Sequence, residues 1–220
     1  MKIELQLIAS TLFRLSAIHV FFLKLCSEGP ITTNATPLGN ETDRLALQLK
    51  NAITNDPLGA LSSWNESLHF CEWRGITCGN LTFLRSIELG DNKFHGAIPQ
   101  EVGRLLRLRY INLSHANFEG EIPSNLTNCY NLKVLDLSRN NLTGKIPFEL
   151  DSLSKLSALI LIANHLTGKI SPSFGNLSSL QALYLVDNSL EGSIPKDLGR
   201  LTRLSNLYVG ANELSGMFPN

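Results

Sequence analysis

Apolar residues recur along most of the chain with a fixed period. From Leu81 onward the pattern repeats every 24 residues, with units beginning at Leu81, Leu105, Cys129, Leu153, Leu177 and Leu201. Each unit follows L-x-x-L-x-x-L-x-L-x-x-N-x-L-x-G-x-I-P, most completely from Cys129 to Ser152, and the register never slips. A self-similar period of this length is the mark of a solenoid, in which each unit buries its apolar face only against its neighbours. Within a unit, the alternation Leu135, Asp136, Leu137 has the period of a β-strand, with the leucines directed inward and the aspartate outward. Because the same positions recur in every unit, six strands are expected to stack side by side, about 4.8 Å apart. The fold class that follows is an α/β repeat solenoid, a superhelix with a parallel concave β-sheet.

Three further columns run through the repeat. Asn92, Asn140, Asn164, Asn188 and Asn212 fall where the chain turns away from the sheet, and a carboxamide there can both donate to and accept from backbone groups of the turn. Ala116 interrupts this column, which predicts a local weakness of about 1–3 kcal/mol if the groups it frees stay dry. Gly96, Gly120, Gly144, Gly168, Gly192 and Gly216 form an unbroken column, pointing to a backbone angle or a close approach that a Cβ would spoil. Ile-Pro follows at Ile98, Ile122, Ile146 and Ile194, with Ser171 in place of Pro and Phe218 in place of Ile elsewhere. Proline restricts these segments to extended or tight-turn geometry rather than full α-helices.

Ahead of the repeat, Leu45, Leu49, Ala52 and Ile53 share one face of a short helix expected to begin near Thr42 or Asp43 and to stop before Asn55-Asp56-Pro57. Trp64 and Trp73 supply large apolar faces to seal the open end of the solenoid, so an N-terminal helical cap is expected over residues 28–80. Met1 to Ser27 carries Lys2 and Arg14, the apolar run Leu15, Ala17, Ile18, Val20, Phe21, Phe22, Leu23 and Leu25, and then the small residues Cys26 and Ser27. That run is too short to cross a bilayer and reads as a secretory signal peptide, with an ordinary buried amphipathic helix as the alternative.

Composition narrows the function classes. The chain has 220 residues, with 19 basic and 19 acidic side chains and a formal charge of zero, which argues against nucleic acid and acidic membrane as primary partners. The five His residues (His19, His69, His95, His115, His165) are scattered, implying neither a metal site nor a nucleophile–base pair. Gly144-Lys145 and Gly168-Lys169 resemble the tail of a phosphate loop, but each Gly belongs to the repeat column and no Ser or Thr follows the Lys. Kinase signatures are absent, so no catalytic residue, metal or cofactor is expected. Eight N-x-S/T sequons agree with a secreted glycoprotein: Asn34, Asn40, Asn65, Asn80, Asn112, Asn125, Asn141 and Asn176. An Asn- and Leu-rich repeat also generates such sequons by composition alone. Cys129 falls in a leucine column, as a buried thiol would.

The unit with L-x-G-x-I-P resembles the plant-specific class of leucine-rich repeat, over residues 81–220. The stretch TDRLALQLKNAITNDPLGALSSWNESLHFCEWRGITC, from Thr42 to Cys78, is similar to the amino-terminal cap of plant leucine-rich-repeat receptor kinases. The resemblance implies a disulfide between Cys71 and Cys78. It also implies a membrane helix and a cytoplasmic Ser/Thr kinase beyond residue 220, an extracellular peptide, protein or microbial-pattern ligand, and signalling through pairing with a co-receptor of the same kind. A sixth unit twenty residues long leaves an unpaired edge, so the chain is expected to be a fragment or truncated product. The alternatives are a secreted inhibitor of pathogen hydrolases, a membrane-anchored receptor-like protein without a kinase, or a secreted decoy. The lone cysteine pair in the cap favours the receptor.

Side chains flanking the inward leucines point to the concave face. Early units place polar and charged groups there (Arg85, Glu88, Asp91, Arg109, His115, Asp136, Arg139), whereas units four to six place Ala158, Ile160, Ile162, Ala182, Tyr184, Val186 and Tyr208. These seven are expected to form an exposed apolar patch of the kind that a peptide or protein partner buries. A glycan on Asn112 would block the early units.

Overall fold

The computed structural model describes residues 50, 51, 53, 56–65, 68, 70–79 and 83–216. The expected signal peptide, most of the expected cap helix and the sequons at Asn34, Asn40 and Asn80 lie outside the described residues. Lys50 and Asn51 are helical. The Asp56 carboxylate then accepts from the N–H groups of Ala60 and Leu61, at 2.9 and 2.8 Å, and fixes the turn that follows. Trp64 and Trp73 stack with centroids 5.2 Å apart and are 0 % and 2 % exposed. Trp64 Nε1 donates to the Arg74 carbonyl at 2.8 Å, whereas Trp73 Nε1 is buried without a partner among the described residues. Cys71 is a disulfide cysteine and Cys129 is free. The Cys78 side chain lies outside the described set.

The concave sheet has seven strands. β1 (Ile76–Gly79) is antiparallel to β2 (Phe83–Glu88), and β3 (Tyr110–Asn112), β5 (Val134–Asp136), β7 (Ala158–Ile160), β9 (Ala182–Tyr184) and β11 (Asn206–Tyr208) follow in parallel. Their register is that of the repeat: Ile111 pairs with Leu135, Leu135 with Leu159, Leu159 with Leu183 and Leu183 with Leu207. The antiparallel β1 was not expected from the sequence. It covers the edge of the first repeat strand, which would otherwise present unpaired backbone groups.

A second set of short parallel strands runs along the opposite side, also unanticipated. β4 (Glu119–Glu121) pairs with β6 (Asn141–Thr143), and β10 (Ser189–Gly192) pairs with both β8 (Thr167–Lys169) and β12 (Glu213–Leu214). These strands are built on the Leu-x-Gly segment of units two to six, with Phe118 in the leucine position of the second. Between the two sheets, 3-10 turns at Gln100–Arg104, Ser124–Asn128, Phe148–Ser152, Pro172–Asn176 and Lys196–Arg200 close each coil. Four begin directly after the proline of Ile-Pro, whose missing N–H and fixed φ suit the start of a tight turn. Where Ser171 replaces that proline, Pro172 moves one place into the turn and Ser171 Oγ accepts from the Ser173 N–H.

The leucine columns fill the interior: Leu108, Leu132, Leu156 and Leu180 are all 0 % exposed. The Asn column ties one coil to the next. Asn164 Nδ2 donates to the carbonyls of Leu137 and Leu161, and its Oδ1 accepts from the Leu142 N–H of the preceding unit. Asn188 does the same for Leu161, Leu185 and Leu166. At Ala116 two carbonyls keep a donor, Leu113 from Asn140 and Leu89 from Asn92. The loop also changes shape, and Asn117 adopts a φ of 56°, a conformation that the other units lack at this position. The weakness expected at Ala116 is therefore partly offset by its neighbours.

The glycine column has its cause in both angle and space. Gly168 and Gly192 sit at φ 76° and 77°, and a Cβ there would lie 3.0 Å from Lys145 and 3.2 Å from Lys169, whose methylenes lie across them.

Candidate ligand-binding face

The concave face divides between β5 and β7. On the early side, Asn112 Oδ1 accepts from the N–H and hydroxyl of Ser114, at 3.0 and 2.7 Å. One unit later Asp136 Oδ1 does the same with Ser138, at 2.9 and 2.6 Å. Asp136 is 2 % exposed, and burial raises its carboxyl pKa to about 6 against the opposing pull of the Ser138 bonds. Asp91 adds a smaller push in the same direction. The expectation that Asp136 presents a charge to solvent is thus corrected: neighbouring side chains close over it. At the rim, His115 Nδ1 lies 3.0 Å from Asp91 Oδ1, both groups largely exposed, so this pair contributes little.

On the late side the expected exposed patch is mostly a second, small core. Ala158, Ile160, Ala182 and Val186 are 0 %, 0 %, 1 % and 4 % exposed. Val134, which the sequence reading omitted, joins Ala158, Ile160 and Ala182, with Tyr110, Ile162 and Tyr184 packed against them. The reason is geometric. Parallel strands about 4.8 Å apart on a concave surface bring successive side chains of a column into contact, and small or branched ones are covered by their larger neighbours.

What faces outward is therefore narrower than expected: Ile162, Tyr184 and Tyr208, each half-buried. The two tyrosines meet edge to face, with centroids 4.9 Å apart and an interplanar angle of 60°. Burial, with a smaller contribution from Tyr208, pushes the Tyr184 hydroxyl up to about 12. It thus stays a neutral donor. The arrangement offers a preformed aromatic shelf on a rigid floor, beside a polar half whose carboxamide and carboxylate are already engaged. Alternation alone could not distinguish floor from shelf, because both point to the same side of the sheet.

Of the described sequons, Asn125, Asn141 and Asn176 are exposed, while Asn65 and Asn112 are half-buried. No group of three or more His, Cys, Asp or Glu able to hold a metal occurs among the described residues.

A coiled stack of parallel strands with an aromatic pair on its inner face defines a repeat solenoid. A family profile described as a leucine-rich repeat region matches residues 69–217, and one described as a leucine-rich-repeat N-terminal domain matches residues 40–79. The chain belongs to the leucine-rich-repeat family.

The proteins it resembles include plant receptor kinases. The leucine-rich-repeat receptor-like serine/threonine-protein kinase EFR of Arabidopsis thaliana is 43% identical over 93 residues, covering 30% of this chain and 9% of that protein. The ectodomain of the Arabidopsis membrane receptor kinase GASSHO1/SCHENGEN3, solved in complex with CASPARIAN STRIP INTEGRITY FACTOR 2, superposes with a TM-score of 0.77 at 35% identity, over 81% of this chain and 22% of that one. A chain of the Arabidopsis BIR3–SERK2 complex gives 0.70 at 33% identity, over 79% and 95%. The chain spans about a tenth of the length of the full receptor kinases it matches.

Proposed function

We propose that this chain is the amino-terminal part of the extracellular ligand-binding region of a plant receptor-like Ser/Thr kinase, with residues 1–27 as leader, 28–80 as cap and 81–220 as repeats. The observation that carries this reading is the shelf of Ile162, Tyr184 and Tyr208 over a closed apolar floor, on the inner face of a family whose relatives include receptors solved with bound partners. The ligand is an extracellular peptide or protein segment with at least one apolar side chain to bury on that shelf, and a co-receptor kinase with leucine-rich repeats is the signalling partner. The disulfide partner of Cys71 is Cys78, and the exposed Asn125, Asn141 and Asn176 are the described sequons best placed to carry glycans. The chain enters the secretory pathway and faces the outside of the plasma membrane.

The test is binding of a library of secreted plant peptides to the immobilised chain, repeated with the Tyr184→Ala/Tyr208→Ala double variant. Loss of captured peptides by the double variant, with an unchanged unfolding transition, is the expected result. Equal capture by both proteins removes the shelf as the site.

A further inference from the structure

The formal charge of zero conceals one strip of the surface that carries basic side chains without acidic ones. In each unit, the segment between the 3-10 turn and the concave strand forms one flank of the solenoid. Two rows of basic side chains run along it: Arg85, Arg109 and Lys133 next to the strands, and Arg107, Lys155 and Arg203 further out. No Asp or Glu occurs in residues 83–87, 104–111, 128–135, 152–159, 176–183 or 200–207. Acidic side chains lie on the neighbouring surfaces instead, in the 3-10 turns (Glu101, Glu149, Asp151, Asp197) and in the second set of strands (Glu119, Glu121, Glu191, Glu213), the latter interleaved with Lys145 and Lys169.

Strand register places Arg85, Arg109 and Lys133 one strand spacing apart, since Ser86 pairs with Tyr110 and Tyr110 with Val134. Charges of one sign held about 4.8 Å apart reinforce each other within a Debye length of about 8 Å. The flank also carries two of the larger exposed apolar side chains among the described residues, Leu106 at 47% and Tyr130 at 55%, one repeat apart in the same column. Local bonds set this surface in place. Asn131 Nδ2 donates to the Leu106 carbonyl at 3.3 Å, Lys155 Nζ donates to Asn131 Oδ1 at 2.7 Å, and Lys133 Nζ sits 6.0 Å from the Tyr110 ring centroid.

We infer that this flank is a second binding surface, separate from the concave shelf, and that its occupant is an extended acidic polypeptide segment carrying apolar side chains among its carboxylates. The carboxylates would lie along the two basic rows and the apolar side chains over Leu106 and Tyr130. A polyanion without apolar groups would leave both of those uncovered, which favours a peptide. Length follows from geometry. Five strand spacings separate the first row position from the last, about 24 Å, which an extended peptide covers in roughly seven or eight residues.

The experiment uses fluorescence anisotropy of the full chain with a labelled peptide of about ten residues, roughly half Glu with one Leu and one Phe. The same peptide with Gln for Glu and a polyuronate of similar length serve as comparisons. Binding of the Glu peptide should weaken at least tenfold in Arg107→Glu/Lys155→Glu/Arg203→Glu, all exposed positions. It should weaken several-fold in Leu106→Ser/Tyr130→Ser, fall with added salt, and be lost with the Gln peptide. Reversal on the opposite flank, Lys145→Glu/Lys169→Glu, should change it less than about twofold. Equal losses from both reversals would mean that net charge alone is sensed, and would overturn the proposal. So would polyuronate binding as tight as the peptide's and indifferent to Leu106→Ser/Tyr130→Ser, which would assign the flank to an anionic polysaccharide. An unchanged affinity in Tyr184→Ala/Tyr208→Ala keeps this surface distinct from the shelf; a matching loss there would merge the two and end the claim of a second site.

Discussion

The carboxamide oxygen of Asn140 accepts the backbone N–H of Phe118, 22 residues earlier, at 2.9 Å. It also takes the Ala116 N–H at 3.2 Å, while Nδ2 donates to the carbonyls of Leu113 and Leu137 at 2.8 and 2.9 Å. One side chain therefore serves the backbone of two coils, and does so at 6 % exposure. Its position next to the Ala116 gap makes it the column member with the most dependents. Asn140→Ala should destabilise the chain by about 3 kcal/mol or more, since each orphaned buried group costs about 1–3 kcal/mol. Asn212→Ala, at a half-buried position, should cost about 1 kcal/mol. Chemical denaturation of the two variants checks the order, and equal losses would refute the idea that burial sets the cost.

Asp136 provides a pH signature. Burial raises its folded-state pKa to about 6, above the usual carboxylate range, so the native state holds its proton more tightly than the unfolded chain does. The stability linked to this proton is fully present below pH 4 and is lost as pH rises through 6. At about 1.4 kcal/mol per pH unit the loss is roughly 3 kcal/mol. Asp136→Asn should remove this dependence and raise stability at pH 7, because the amide oxygen can keep both bonds from Ser138. Asn112 already makes the equivalent pair with Ser114 one unit earlier. Thermal unfolding at pH 4 and pH 7 reads the effect, and an unchanged pH slope in the variant would exclude Asp136 as its source.

How far the sequence was legible depended on what periodicity can encode. The Leu135, Leu159, Leu183 ladder and the Asn164 and Gly168 columns were readable because each residue's neighbour in space lies 24 positions away in sequence. Antiparallel β1 was not, because Cys78-Gly79 belongs to the cap and carries no repeat. Closure of the concave patch also escaped notice. Alternation says that Ile160 and Tyr184 point the same way, but not that Tyr184 and Ile162 cover Ile160. The basic flank was hidden by summation, since Arg107 and Glu119 cancel in a total while lying on different sides of the coil.

Two glycines of one column separate steric need from backbone angle, since neither has a φ in the left-handed region. A Cβ on Gly175 would clash with the Asp197 carbonyl oxygen of the next coil, and one on Gly103 would clash with that of Asn125. Gly175→Ala should therefore cost about 1–3 kcal/mol, the usual range for overpacking against backbone. Gly103→Ala should cost at least as much, since a Cβ there comes closer still to the backbone it meets. Paired thermal melts test this, and an unchanged melting temperature in either variant would contradict the close stacking of adjacent coils.

Cys129 takes the place of leucine at the head of its unit and is 0 % exposed. Its Sγ lies 3.5 Å from the carbonyls of Val102 and Leu105, and burial pushes its thiol up to about 12. A thiol so far above neutral pH holds almost no thiolate, the form that reacts. Iodoacetamide at pH 8 should leave Cys129 unmodified in the folded chain and alkylate it once guanidinium opens the coil. The rate of labelling in water then reports how often the third unit opens. Because Asn140 ties the Leu137 carbonyl of this unit to the Leu113 carbonyl of the one before, Asn140→Ala should accelerate that labelling by a hundredfold or so, in step with a loss of about 3 kcal/mol. Mass spectrometry of the peptide containing Cys129 follows the rate, and labelling unaffected by Asn140→Ala would show that the thiol is exposed by a local motion independent of the Asn column.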